Sequence, residues 1–162
     1  MSDLNLPADV ADVARPLFDA LPLGQAMTRL ICPMHGGTPE QVQLVESIVA
    51  QPAVAGRPAL VAALWLYIDE LDRSHSVSQS IDNPTGSYWH GIMHRREGDF
   101  GNSHYWFRKT GDHPAMAHIP NYDAHAFIDE VESAQRSGEG QDALVQKQRQ
   151  EWQTLFVWCA TQ

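Results

Sequence analysis

Two imidazoles and a carboxylate recur along one stretch of the chain as His90-x3-His94-x2-Glu97. On a helix, positions i, i+4 and i+7 fall within roughly 60° of one another, so the three side chains share a ridge. Imidazoles one helical turn apart are a common way to hold a divalent transition metal, and a nearby Glu can add an oxygen ligand. The ridge therefore predicts a metal set of His75, His90, His94 and Glu97, loaded with Zn, Ni or Mn. His75 enters because it continues the apolar stripe Val61, Leu64, Trp65, Ile68, Leu71 by one further turn. Asp72, one turn before His75, could supply a carboxylate to the metal or to a ligand. The motif is not that of a zincin protease, which needs Glu directly after the first His; here Gly91 stands there.

Other residues admit chemistry less directly. Arg95 and Arg96 follow His94, and a guanidinium pair beside imidazoles could bind an anionic ligand. Arg96 also falls within the apolar arc, where it could lay its stem along the core and pair its head with an acid. Cys32-Pro33-Met34-His35 sets a thiol near an imidazole, without a visible oxyanion pocket. His113, His118 and His125 read as loop or cap residues, and Asn102 as support for a helix cap. Phe100, His104 and Phe107 share a face flanked by Tyr105 and Trp106, which reads as core. No Walker, G-x-G-x-x-G or G-x-S-x-G element is present.

The elements that must carry these groups are all helical. Apolar positions Val10, Val13, Leu17 and Phe18 mark a helix over residues 7–21, which Pro16 should bend or split. Thr38-Pro39-Glu40-Gln41 is a capping box opening a second helix. A long helix is expected over 58–79, a turn-rich connector over 80–87, and a short helix over 88–97. In that short helix Tyr88, Trp89, Ile92 and Met93 form an apolar arc, with the histidine ridge at the core boundary. Asp99 is an N-cap for a helix over 100–110, which Gly111 ends. A loop over 112–122 leads to a helix capped by Asp123, and residues 137–140 turn into the last one. No convincing two-residue alternation occurs. The expectation is a compact all-α domain of about six helices spanning residues 1–162.

Composition narrows the function classes. The 162 residues carry a net charge of −9, which argues against a nucleic-acid partner. Residues 90–125 balance four basic against four acidic groups and hold six of the eight histidines, so the acidity belongs to the flanks. The start, Met1-Ser2-Asp3-Leu4, lacks the basic and apolar parts of a signal peptide. The longest apolar run, residues 59–68, is about half of a bilayer crossing. Cys32 and Cys159 are expected as reduced thiols of a cytoplasmic protein.

The stretch W-H-G-I-M-H-R-R-E-G-D-F-G-N-S-H-Y-W-F-R over residues 89–108 resembles the signature of an uncharacterised, mainly bacterial protein family. L-D-R-S-H-S-V-S-Q-S over 71–80 resembles the same family's second motif. The resemblance implies a helical fold and specifies no reaction. Relatives carry Lys where this chain has His104, which leaves His75, His90, His94 and Glu97 as the matching polar set. Residues 88–110 also resemble a single helical hairpin of the tetratricopeptide kind. Two functions follow as expectations. One is a protein that binds a metal or small polar ligand, with acid–base catalysis as its enzymatic form. The other is a non-catalytic hairpin module with structural histidines, compatible with a homo-oligomer.

Overall fold

Proline sets much of the punctuation: Pro39, Pro52, Pro58 and Pro84 each occupy the first turn of a helix, where a missing N–H costs nothing. The structure, a computed structural model, describes residues 4–162; Met1, Ser2 and Asp3, part of the start read for a signal segment, lie outside the described residues. Nine α-helices form among the described residues and no strand does. They are α1 (Ala8–Ala20), α2 (Pro39–Val49), α3 (Pro52–Ala55), α4 (Pro58–Tyr67), α5 (Leu71–Ser78), α6 (Pro84–Glu97), α7 (Phe100–Thr110), α8 (Ala124–Ser137) and α9 (Gln141–Ala160). Short 3-10 turns cover Leu23–Gln25 and Pro114–His118. None of these helices is long and apolar enough to cross a membrane.

Local signals placed most ends correctly. The Thr38–Gln41 capping box forms in full, and Asp99 and Asp123 accept from the backbone N–H groups of Asn102 and Ala126. Helix α1 runs through Pro16 without splitting.

The expected helix over 58–79 is two helices. Between them Asp69 takes a positive φ of 63°, a conformation that no local pattern demanded. Tertiary contacts hold it: its carboxylate receives a 2.6 Å bond from Arg96, and its carbonyl accepts from Gly36 N–H at 2.9 Å. Glu70 alongside is buried and accepts from Gly37 N–H at 3.1 Å.

The expected connector over 80–87 is also shorter. Asn83 caps α6 by accepting from Gly86 N–H at 3.0 Å. Gly86 lies so close to Ile81 that an added Cβ would sit 2.1 Å from the Ile81 carbonyl oxygen. The chain can turn there only because that side chain is absent.

Helix α6 threads the centre. Residues 86–96 are all buried, so the helix is not the two-faced element at a core boundary that its apolar arc suggested. Helix α7 folds back against it at close range: a Cβ on Gly91 would lie 2.8 Å from the Phe107 ring, and Ser103 Oγ donates to the Gly91 carbonyl at 2.7 Å. On the other side Trp152 of α9 donates to the Ala63 carbonyl of α4 at 2.8 Å. A smaller group of apolar side chains, including Leu30, Phe127, Val131 and Leu144, packs around α8.

Candidate metal centre

The break at Asp69 frees α5 to take its own direction, and α5 brings His75 onto α6. The His75 ring centroid lies 4.7 Å from that of His90 and 5.4 Å from that of His94, edge-on to both. His90 and His94, one turn apart on α6, stack at 4.7 Å. One ligating nitrogen from each of the three rings lies within 4.8 Å of the other two. His90 and His94 are buried, whereas His75 is half-buried.

Two neighbours fix the ring orientations. Trp106 of α7 lies flat on His90, with centroids 3.7 Å apart and planes 15° off parallel. Glu97 Oε1 sits 2.8 Å from His94 Nδ1. A carboxylate accepts, so this contact assigns the proton to Nδ1 and leaves Nε2 of His94 as a lone pair. The Asn102 amide approaches that Nε2 at 3.4 Å. Nδ1 of His90 is buried and has no hydrogen-bond partner.

The environment keeps two of these rings neutral. Burial, reinforced by His94, His75 and Lys109, pushes the His90 pKa down to about 3. Burial and His94 also lower His75, against an opposing pull from Glu97 and Asp72. Neutral imidazoles offer lone pairs, which is the form that binds metals.

Glu97 belongs to the centre chiefly through His94. A second donor group joins His94, Glu97 and Asp99, although Asp99 already accepts from Asn102 N–H at 3.1 Å as the cap of α7. Asp72 stays outside both groups: its side chain is exposed and faces His35 at 3.9 Å.

The anion-binding reading of Arg95 and Arg96 is corrected. Both are fully buried and their terminal nitrogens are committed to internal partners. Arg95 makes a two-pronged pair with Glu151 at 3.0 and 2.7 Å, above the Phe127 ring. Arg96 donates to the carbonyls of Leu66 and Arg29 and to Asp69, as the core-and-acid reading of that residue anticipated. Nor does Cys32 suit nucleophilic work, because burial pushes its thiol pKa up. His113, read as a loop or cap residue, is a buried cap: it accepts from Ala115 N–H and contacts Thr85 Oγ1 at 2.9 Å.

Asn102 supports the α7 cap as expected and also reaches His94, whereas Trp106, read as core, lies against the centre. The signal for Trp106 was Gly91. A glycine between two histidines lets α7 approach closely enough for Phe107 to contact it, and that register lays the neighbouring Trp106 on His90. The chain matches no protein-family model, no curated protein and no solved structure.

Proposed function

We propose that the protein binds a divalent transition metal, or a small polar ligand in its place, through His75, His90 and His94. Glu97 holds His94 in the ligating tautomer. The observation that carries this reading is the convergence of three ring nitrogens within 4.8 Å, one residue of the three retaining a buried nitrogen without a partner. A buried polar atom left unpaired costs about 1–3 kcal/mol, and a cation or polar ligand between the rings would recover part of it.

Three imidazoles suit Zn or Ni better than Mn, which prefers carboxylate and water. Three protein donors also leave a coordination position free, the pattern of catalytic rather than structural zinc. A metal held there would supply Lewis acidity at that position; the protein's part is to fix the donors, stack Trp106 behind His90 and keep bulk water from the inner two rings. In the metal-free, enzymatic form of the same reading, His94 accepts a proton at Nε2 while Glu97 steadies Nδ1–H.

Metal analysis of protein purified without chelator or His-tag tests the reading. At least one equivalent of metal is expected, with a rise in melting temperature on adding Zn2+ or Ni2+. At 100 times the dissociation constant the stabilisation is about 2.7 kcal/mol. Sub-stoichiometric metal with no thermal shift for Zn2+, Ni2+ or Mn2+ sinks the metal form.

The close packing of α6 on α7 about Gly91 favours a second reading: a hairpin module of tetratricopeptide kind that works by contact with a partner or a second copy. It expects His90→Ala and His94→Ala to destabilise the fold whether or not metal is present.

A further inference from the structure

Two positions before Trp106 on α7 stands His104, which the helix turns by roughly 200° away from the inner site. It meets His125 at the start of α8. Their Nδ1 atoms are 2.8 Å apart, the ring planes differ by 2° and the centroids are 5.1 Å apart, so the rings meet edge to edge, nitrogen to nitrogen. On the far side of His104, Asp129 Oδ1 lies 3.1 Å from Nε2. Both histidines are half-buried, and Asp129 is exposed.

These contacts determine the tautomers. Asp129 accepts, so Nε2 of His104 carries the proton and its Nδ1 is a lone pair. The nitrogen facing that lone pair, His125 Nδ1, must then donate. Nε2 of His125 has no hydrogen-bond partner and is not among the buried unpaired atoms, so it reaches solvent. A histidine with a carboxylate on its remote nitrogen and a lone pair on the near one is arranged as metal-bound histidines are.

We propose that His104 and His125 form a second transition-metal site at the surface, clamping α7 to α8, with Asp129 as the positioning residue for His104. Its donors are two neutral nitrogens, which select Zn2+, Ni2+ or Cu2+ over Mg2+ or Ca2+. To bind, His125 moves its proton from Nδ1 to Nε2 through solvent, so both Nδ1 lone pairs become available and no net proton is released. Two Zn–N bonds of about 2.0–2.1 Å at a tetrahedral angle place the nitrogens roughly 3.3 Å apart. The opening from 2.8 Å is within the rotation of two half-exposed side chains. Water fills the remaining positions. The site stands independently of His75, His90 and His94, because it shares no residue with them.

The test is imidazole 15N NMR of the full chain titrated with Zn2+ alone. Zn2+ is expected to shift the Nδ1 resonances of His104 and His125 together, and to do so in competition with neither proton release nor loss of fold. Asp129→Asn is expected to keep the shift while weakening it roughly 10–100-fold in Zn2+ concentration. His125→Ala is expected to abolish it at His104. If both Nδ1 resonances stay unmoved up to millimolar Zn2+, the pair holds a proton only and the proposal is overturned. An unchanged His104 shift in His125→Ala overturns it equally. Because the readout is at two assigned nitrogens, metal binding or its failure at the inner three histidines cannot be mistaken for either result.

Discussion

Helix α6 carries two kinds of buried polar side chain within seven residues, and they end differently. Arg95 and Arg96 are fully buried, and each spends both terminal nitrogens on carboxylates or carbonyls, with only Nε unpaired. His90 and His94 are buried on the same helix, yet His90 has one ring nitrogen with no partner and His94 has only a long contact at Nε2. Enclosing a guanidinium requires a countercharge from the fold, so the arginines became girders. An imidazole can be enclosed by discarding its charge, which leaves lone pairs uncommitted. The closed network is architecture; the open one is where a ligand can add free energy.

That contrast breaks in graded ways. The largest effect is expected from Glu151→Ala, which strands Arg95 in the core without its countercharge. It should cost about 3–5 kcal/mol in a urea or thermal melt, independent of added Zn2+. His90→Phe replaces a half-satisfied ring with an apolar one of similar size and should cost little by comparison, while removing the inner site's share of the Zn2+-dependent rise in melting temperature. If His90→Phe unfolds the protein as Glu151→Ala does, the histidines are girders too.

Acid offers the next test, on chelator-treated protein. His90 titrates near 6.5 in the unfolded chain and at about 3 when folded, so below pH 6.5 the unfolded state binds a proton that the folded state refuses. Stability is therefore lost as pH falls from 6.5 towards 3, by up to about 1.4 kcal/mol per pH unit from this group. The acid limb of a stability profile should flatten in His90→Phe. The smallest effect belongs to Glu97→Gln, which keeps a partner on His94 but removes its charge. Zn2+ stoichiometry should be unchanged and affinity weakened roughly 10–100-fold by calorimetry. A loss of one ligand's worth of coordination instead would make Glu97 a direct ligand.

Much of the secondary structure was legible because its signals are local. Thr38, Asp99 and Asp123 announced helix starts through side-chain oxygens that reach only three residues ahead. The His90–His94–Glu97 ridge was legible for the same reason: helical periodicity alone sets it. The break at Asp69 was not, because the residue's positive φ is held by Arg96 and Gly36, 27 and 33 positions away. The arginines misled because adjacency to histidines says nothing about what lies across the core, and Glu151 is 56 residues distant.

What the chain determined by itself is an all-helical fold with most of its ends, and a ridge of two imidazoles and a carboxylate on one helix. The apolar stripe named His75 as a third imidazole, and tertiary structure decided how it meets the other two. Without the break between α4 and α5, His75 would continue a straight helix; with it, the ring turns edge-on to His90 and His94. It also decided that α6 is enclosed on every side, and it is that enclosure, by removing water, that holds His90 neutral. Spacing along a helix is written in the order of residues, whereas desolvation and convergence between helices come only from how the helices pack.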